Sequence, residues 1–211
     1  MQTQLILVRH GESEDNLAQR LSGWTDSDLT PVGVEQAQRT AHHVARSYQP
    51  AVVYASPLRR ARRTAEPLAA LTGLPLNLHD DLREIYFGQA EGLSIPEVME
   101  RFPTDWQRAM DDDDLDFGFP GGETRRAFYA RIGRVFQQII DRHAGETVAI
   151  VSHGGVLSAF LAMVAEGRPQ RWRAFYKQNC AISEVVANGR SLTIVRWNLT
   201  DHLSSPPPDT P

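Results

Sequence analysis

The strongest constraint on the fold is a set of three apolar runs, each of which ends in polar residues and leads into a helical pattern. The runs are QLILV (4–8), AVVYAS (51–56) and TVAIVS (147–152). Continuous runs of branched apolar residues are typical of strands that are buried on both faces of a parallel sheet. Strands that alternate with helices predict an α/β fold, here a three-layer α/β/α sandwich with a mostly parallel central sheet.

Helical patterns fill most of the chain between these runs. Thr30 and Pro31 suit the N-cap and first position of a helix, and an apolar stripe follows them. That stripe contains Val34, Ala37, Ala41 and Val44. Further helices are predicted over 13–21, over 57–71 with an end near Gly73, over 94–110 with a break at Pro103, and over a long segment from Phe128 that ends at His143–Gly145.

The remaining segments predict strands, a turn and a tail. LPLNLHD (74–80) alternates like a strand, and AISEVVANGRSLTIVRWN (181–198) predicts a hairpin that turns at Asn188–Gly189. The length of 211 residues suits one domain. We therefore expect a single domain over 1–203, with a lid or insertion around 94–125, and a disordered tail over 204–211.

Charge and cysteine content narrow the possible partners. The net charge of −4 gives no reason to expect nucleic acid or an anionic membrane as a partner. No apolar run approaches the ~20 residues of a membrane span, and the N-terminal MQTQLILVRH lacks the basic start of a signal peptide. A single cysteine, Cys180, excludes an intramolecular disulfide. These features predict a cytoplasmic protein.

Unusual residues follow the ends of the three predicted strands, which is where α/β folds bind their ligands. His10 and His153 each follow a strand and each precede a glycine, and Arg9 lies beside the first histidine. Arg60 lies just inside the helix after the second strand. Two guanidinium groups, two imidazoles and helix N-termini predict a pocket for a tetrahedral oxyanion, because arginine matches phosphate in bidentate geometry.

Five stretches, in this order, resemble the motifs of the histidine phosphatase superfamily, in the branch that includes cofactor-dependent phosphoglycerate mutases and small phosphatases. They are LVRHGES (7–13), SGWTDSDLTPVG (22–33), SPLRRARRTA (56–65), LREIYFGQAEG (82–92) and VSHGG (151–155). PGGET (120–124) and NLTDHL (198–203) also fit. The resemblance covers residues 4 to 203, and the order of the motifs makes it far more specific than any one of them.

The resemblance implies a role for particular residues. It places the nucleophile at His10 and the proton donor at Glu84. The catalytic set that it implies is His10, Glu84, His153, Arg9 and Arg60, and the phosphate-binding set is Arg9, Asn16, Gly23, Arg60, Glu84, His153 and Gly154. A neutral imidazole is a competent nucleophile near pH 7, and a carboxylic acid among apolar neighbours can protonate the leaving alkoxide. This scheme requires no metal and no cofactor.

Plainer interpretations apply to other conspicuous residues. Apart from Arg60, the arginines of RRARR (59–63) are expected to form a solvated face, and DDDD (111–114) a solvated loop. His42 and His43 are adjacent on a predicted helix and diverge, so they make no metal pair. Glu91 is a weaker rival of Glu84 for the role of acid.

Three functions remain open at this point. A mutase returns the phosphoryl group to its substrate, a phosphatase transfers it to water, and a degenerate relative only binds a phosphorylated ligand. Only about 28 residues separate Gly92 from Pro120, and this short lid resembles the phosphatase subgroup, which we favour.

The expected partner is a small phosphorylated metabolite, and no motif indicates the oligomeric state. The 22–26 loop and the 94–125 lid are expected to choose the substrate. The lid offers Arg101, Arg108, Phe117, Phe119 and Glu123. These residues suit a small phosphomonoester with a polar or carboxylated body, and they leave α-ribazole phosphate, phosphoserine, phosphoglycerate and sugar phosphates open.

Overall fold

The computed structural model describes residues 2–204, and its centre is one mixed sheet of six strands. The strands are β1 (Gln2–Arg9), β2 (Val52–Ala55), β3 (Leu76–Leu78), β4 (Thr147–Ser152), β5 (Ile182–Asn188) and β6 (Ser191–Leu199). Their order across the sheet is β3-β2-β4-β1-β5-β6. The pairs β3-β2, β2-β4 and β4-β1 are parallel, whereas β5 and β6 add an antiparallel edge. The predicted α/β sandwich with a mostly parallel sheet is confirmed.

Helices cover both faces of this sheet. They are α1 (Glu14–Leu17), α2 (Pro31–Tyr48), α3 (Arg59–Thr72), α4 (Ile95–Arg101), α5 (Pro103–Ala109), α6 (Arg125–Arg142), α7 (Gly154–Glu166) and α8 (Asp201–Ser204). Short 3₁₀ turns lie at Asp80–Leu82, Gly88–Ala90 and Pro169–Phe175. Within residues 2–204, every helix is too short or too polar to cross a membrane.

The central strand β1 shows why the apolar runs are continuous. Successive side chains of a strand point to opposite faces, so a strand covered on both faces needs apolar residues at every position. Leu5 and Leu7 pack in the cluster built with α6 and α7, whereas Ile6 and Val8 pack in the cluster built with α2 and α3. The core therefore consists of two layers that share the sheet.

Helix boundaries follow the capping residues. Thr30 accepts a hydrogen bond from the Gly33 N–H at 3.0 Å, which satisfies a free donor of the first turn of α2. Gly73 closes α3 in the left-handed conformation, with φ of 68°. Pro103 separates α4 from α5 as predicted, because a proline suits the first turn of a helix and not its interior.

Two predicted elements are longer than the observed ones. The helix expected over 13–21 stops at Leu17, because Gln19 adopts a φ of 54° and Arg20 forms a bridge to Ser94. The strand expected over 74–80 is limited to Leu76–Leu78.

The predicted hairpin is confirmed as β5 and β6, and its turn lies at 189–190, one residue later than predicted. Asn188 still pairs with Ser191, and Gly189 supplies the positive φ of the turn. The predicted tail 204–211 lies outside the described residues, except for Ser204, which ends α8.

Candidate active site

The central strands bring the two histidines together. β1 and β4 are neighbours in register, with Arg9 opposite Ser152, so His10 and His153 leave the sheet at the same edge. The His10 N–H donates to the Ser152 carbonyl at 2.9 Å, and the two ring centroids lie 5.2 Å apart. The structure therefore places side by side two imidazoles that are far apart in sequence.

The surroundings of His10 fix its tautomer and its charge. Its Nδ1 lies 2.7 Å from the Gly11 carbonyl, which only accepts, so Nδ1 carries the proton and Nε2 keeps its lone pair. Burial, followed by the charges of Arg60 and Arg9, holds the pKa of His10 well below 6.5, against the opposing effect of the Gly11 hydrogen bond. His10 is thus a neutral imidazole with a free Nε2 near pH 7.

His153 is fully buried beside it, and its partner is a serine to which sequence reasoning gave no role. Its Nε2 lies 2.7 Å from Oγ of Ser56, the residue that follows β2. Burial, and then the positive charge of Arg60, holds the pKa of His153 well below 6.5. The signal for Ser56 was available, because it ends an apolar run in the same way as both histidines.

Arg9 and Arg60 enter the site from two different elements. Arg9 ends β1, and its Nη1 donates to the Tyr176 hydroxyl at 3.1 Å and to the Lys177 carbonyl. Arg60 lies in the first turn of α3 and is only 1% exposed. Its Nη1 and Nη2 donate to carbonyl oxygens of the 22–26 loop, at 2.8 and 2.7 Å. Both guanidinium groups are therefore held in place by backbone carbonyls.

Each of these buried groups retains a nitrogen without a partner. Within residues 2–204, Nε of Arg9, Nε of Arg60 and Nδ1 of His153 are buried and make no hydrogen bond. Unsatisfied buried donors are rare and costly, so their concentration at one sheet edge indicates a place where an anion binds.

A cavity of about 180 Å³ opens at this edge. Seven of the eight predicted site residues line it, namely Arg9, His10, Asn16, Gly23, Arg60, Glu84 and Gly154. His153 is not among the lining residues and touches the site through the ring of His10. Asn16 is held at the rim by Nδ2 of Asn179, which lies 2.9 Å from its Oδ1. Gly154 begins α7, whose N-terminus favours negative charge.

Glu84 faces the cavity from the opposite side, and backbone N–H groups orient its carboxyl group. Oε2 accepts from the Gly155 N–H at 2.8 Å and Oε1 accepts from the Ile85 N–H at 3.0 Å. A side chain at position 155 would displace this carboxyl group, because its Cβ would lie 2.4 Å from Oε1 of Glu84. Sequence reasoning missed this contact, although the second glycine of VSHGG (151–155) marks it.

Glu91, the rival acid, has a different place in the structure. Its Oε1 accepts from the N–H groups of Trp24 and Phe87, at 2.6 and 3.1 Å, and its Oε2 accepts from the Thr25 hydroxyl at 3.0 Å. Gly23 packs against it with a φ of 43°, where a Cβ would lie 1.9 Å from Oε1. Glu91 therefore ties the 22–26 loop to the segment after Glu84.

The predicted lid residues divide into two groups. Phe117, Phe119 and Glu123 line a second, apolar cavity that adjoins the first. Arg101 and Arg108 line neither cavity. Arg108 instead forms an ion pair with Asp114 at 2.9 Å. Arg101 lies 5.8 Å from the ring centroid of its neighbour Phe102, so neither lid arginine faces the two cavities in this structure.

The acidic run 111–114 is likewise engaged with arginines. Asp112 pairs with Arg173, Asp113 with Arg168, and Asp114 with Arg108. Within the described residues 2–204, no group of three or more His, Cys, Asp or Glu side chains is placed to hold a metal ion.

The buried histidines make a prediction about stability. The pKa values of His10 and His153 are lowered by burial, and burial lowers that of His202 to about 4. The unfolded chain therefore binds more protons below about pH 6.5, and the free energy of unfolding should fall as the pH drops from about 6.5 to about 4. Calorimetric Tm values across this range test the expectation.

Two matched variants test how much His202 contributes to this fall in stability on acidification. His202→Gln should flatten the dependence of Tm on pH, because the residue that resists protonation in the folded state is gone. His42→Gln, at an exposed position of α2, should leave the dependence unchanged. A Tm that rises on acidification would contradict the assignment of neutral buried imidazoles.

Known proteins resemble this chain over most of its length. Residues 5–200 match the family model of the histidine phosphatase superfamily, branch 1. Phosphoserine phosphatase 1 of Hydrogenobacter thermophilus is 34% identical over 200 residues, which cover 94% of this chain and 93% of that protein. The metal-independent phosphoserine phosphatase of Arabidopsis thaliana is 33% identical, over 96% of this chain and 84% of that protein.

A solved structure with the same fold supports this similarity. Bacillus stearothermophilus YhfR superposes with a TM-score of 0.88 at 29% identity, over 95% of this chain and 99% of that one. The fold, the paired histidines at one sheet edge and the match over nearly the whole chain lead to one conclusion. The chain belongs to branch 1 of the histidine phosphatase superfamily.

Proposed function

We propose that this phosphomonoester hydrolase cleaves small phosphomonoesters without a metal ion, through a phosphohistidine formed on His10. One observation carries the proposal. The free Nε2 of His10 lies in the same cavity as Arg9 and Arg60, each of which has a buried Nε without a protein partner. A phosphoryl group is the ligand that supplies both an electrophile for the imidazole and acceptors for the guanidinium groups.

In the first step, the lone pair of His10 Nε2 forms a bond to phosphorus while the ester P–O bond breaks. The electron pair of that bond goes to the leaving oxygen, and the protonated carboxyl group of Glu84 gives it a proton, so that an alcohol departs. Arg9 and Arg60 offset the charge on the equatorial oxygens of the transition state.

In the second step, water replaces the alcohol. The Glu84 carboxylate accepts a proton from the water while the water oxygen bonds to phosphorus. The P–N bond breaks, its electron pair returns to His10 Nε2, and inorganic phosphate leaves with Glu84 protonated again. The orientation of Glu84 by the Gly155 N–H supports both uses of the same carboxyl group.

The other predicted site residues have supporting roles in this scheme. His153 stabilises the phosphoryl group beside His10, with Ser56 fixing its ring. Gly154 offers the N-terminus of α7, and Asn16 and Gly23 contact the phosphoryl oxygens from the rim. These assignments rest on position in the cavity and on the family to which the chain belongs.

The proposal also includes the organisation and location of the protein. One domain over 1–203 carries the site, with 94–125 as a lid above the leaving-group side. The location is cytoplasmic, and the support for it is the use of a single, buried cysteine. The similarity to the metal-independent phosphoserine phosphatase of Arabidopsis thaliana supports the absence of a metal requirement.

The experiment that tests the function is phosphate release from a panel of small phosphomonoesters, with and without excess chelator. The panel includes phosphoserine and 3-phosphoglycerate, and isomerisation of 3-phosphoglycerate is followed in parallel with a bisphosphoglycerate primer. We expect phosphate release at the same rate in chelator, because the scheme places every charge-stabilising group on the protein.

Three results would overturn the proposal. Isomerisation of 3-phosphoglycerate with little phosphate release would make the protein a mutase. Loss of phosphate release in chelator, with recovery on adding a divalent metal, would remove the metal-independent scheme. Binding of a phosphorylated ligand without any turnover would make the protein a binder.

A further inference from the structure

The cavity next to the phosphate site is apolar and has no part in the chemistry described above. Its volume is about 300 Å³, and the two cavities share five residues, which are Leu21, Glu84, Phe87, Gly155 and Trp172. Glu84 is thus at the boundary between them. An ester whose phosphate lies against His10 has its leaving group on the Glu84 side, so this cavity is where the body of the substrate lies.

Aromatic side chains form most of the wall. Phe117, Phe119, Phe128 and Tyr129 are buried there, and Trp106 and Tyr86 complete the ring-lined surface. Burial raises the pKa of Tyr129 to about 12, so its hydroxyl remains neutral. Apart from Tyr86, these residues come from α5, α6 and the loop between them. Aromatic walls favour an apolar occupant.

The charged side chains that line the cavity are already paired with other protein groups. Nε and Nη2 of Arg131 hold the carboxylate of Glu123 at 3.0 and 2.7 Å. Arg125 donates to backbone carbonyls of the lid, including Ala109 O at 2.6 Å. Both carboxylate oxygens of Asp112 accept from Arg173, at 2.8 and 3.0 Å.

This pairing decides between two kinds of substrate. A carboxylate in this cavity would lose its hydration and would compete with Asp112 and the lid carbonyls for the guanidinium groups of Arg125 and Arg173, which is unfavourable. An aliphatic or aromatic group would exchange water for ring contacts, which is favourable. Arg20 lies at the phosphate cavity and not at the apolar one.

We propose that the substrate is a phosphomonoester of an uncharged alcohol with an apolar body, the size of one aromatic ring or a medium alkyl chain, which occupies the cavity beside Glu84. This inference rests on the proposed phosphatase function and deepens it. It replaces the polar or carboxylated body that the sequence predicted. The specificity-determining residues are those of the aromatic wall, with Met110 at its exposed rim.

The test compares kcat/KM for a series of primary alkyl phosphates, ethyl, n-butyl, n-hexyl and 3-phenylpropyl, with phosphoserine, 3-phosphoglycerate and glycerol 3-phosphate. The alkyl esters differ in apolar surface and hardly at all in leaving-group chemistry. We expect n-hexyl phosphate to exceed ethyl phosphate at least about tenfold, because even one methylene in an apolar pocket is worth roughly tenfold or more.

A pair of methionine variants distinguishes the effect of a charge placed at the cavity from that of a charge placed elsewhere on the surface. Met110 lines the cavity and is 50% exposed, whereas Met99 on α4 is 48% exposed and lies outside it. Met110→Arg should lower the ratio of hexyl to ethyl kcat/KM at least about tenfold. Met99→Arg should leave that ratio unchanged.

The outcomes separate this inference from the proposed function. A flat chain-length profile, or phosphoserine or 3-phosphoglycerate as the best substrate, would overturn the apolar leaving group while the phosphatase stands. If no ester releases phosphate, the phosphatase fails, and calorimetric binding of n-hexylphosphonate against ethylphosphonate then decides the cavity. Tighter binding of the hexyl compound would support the inference, and equal binding would overturn it.

Discussion

Replacement of His10 by alanine is expected to lower the rate of phosphate release at least ~10³-fold, about 4 kcal/mol of activation free energy. The reason is the geometry of the ring. The Gly11 carbonyl fixes the proton on Nδ1, burial keeps the ring neutral, and Nε2 is left as the nucleophile. Alanine supplies no lone pair, and no phosphoenzyme should form when the reaction is quenched in base and analysed by ³¹P NMR.

Two controls distinguish loss of the nucleophile from loss of the fold. Binding of inorganic phosphate should survive in His10→Ala, because Arg9 and Arg60 are held by backbone carbonyls independently of the histidine. His42→Ala removes an exposed histidine from α2 and should keep full activity. Turnover of His10→Ala above a tenth of the wild-type rate, with the fold intact, would contradict the assignment of His10 as the nucleophile.

Replacement of Glu84 by glutamine is the second large effect. For an alkyl phosphate, kcat should fall about 10²–10⁴-fold, the usual contribution of a positioned acid. For p-nitrophenyl phosphate the loss should be about tenfold or less, since its leaving group departs without a proton. Glutamine has the size of the original side chain and retains one oxygen acceptor for the backbone N–H groups of Gly155 and Ile85.

Glu91→Gln is the matched comparison for this acid. Glu91 accepts from three donors in two loops, so its loss should disturb the 22–26 loop that Arg60 holds. That disturbance should slow alkyl and aryl esters by similar factors. If the leaving-group dependence appears in Glu91→Gln and not in Glu84→Gln, the two carboxylates exchange roles.

The fold was predictable because its signals are local. A strand that is covered on both faces must be apolar throughout, and this marked β1, β2 and β4 directly. Boundaries failed where a distant contact intervened, as at Arg20, whose bridge to Ser94 ends the first helical segment early. The short β3 was also overestimated, because its alternating pattern continues beyond the residues that pair with β2.

Residue types and their order along the chain were enough to indicate which chemical groups form the site. The apolar runs that precede His10 and His153 place both imidazoles at one edge of the sheet when the two strands are parallel neighbours. The order of the motifs along the chain indicates the family. These facts depend on residue type and short-range order along the chain, which a sequence states in full.

The protonation state, orientation and surroundings of those groups could be read only from the folded chain. The tautomer of His10 depends on the Gly11 carbonyl, and its neutral charge depends on burial and on Arg60 and Arg9. The orientation of the Glu84 carboxyl group depends on the Gly155 N–H. Neither lid arginine that suggested a charged substrate lines a cavity, Arg108 pairs with Asp114, and side chains from separate helices and loops form an apolar cavity beside the phosphate site. Burial and pairing are properties of the packed chain, because both depend on residues far apart in sequence.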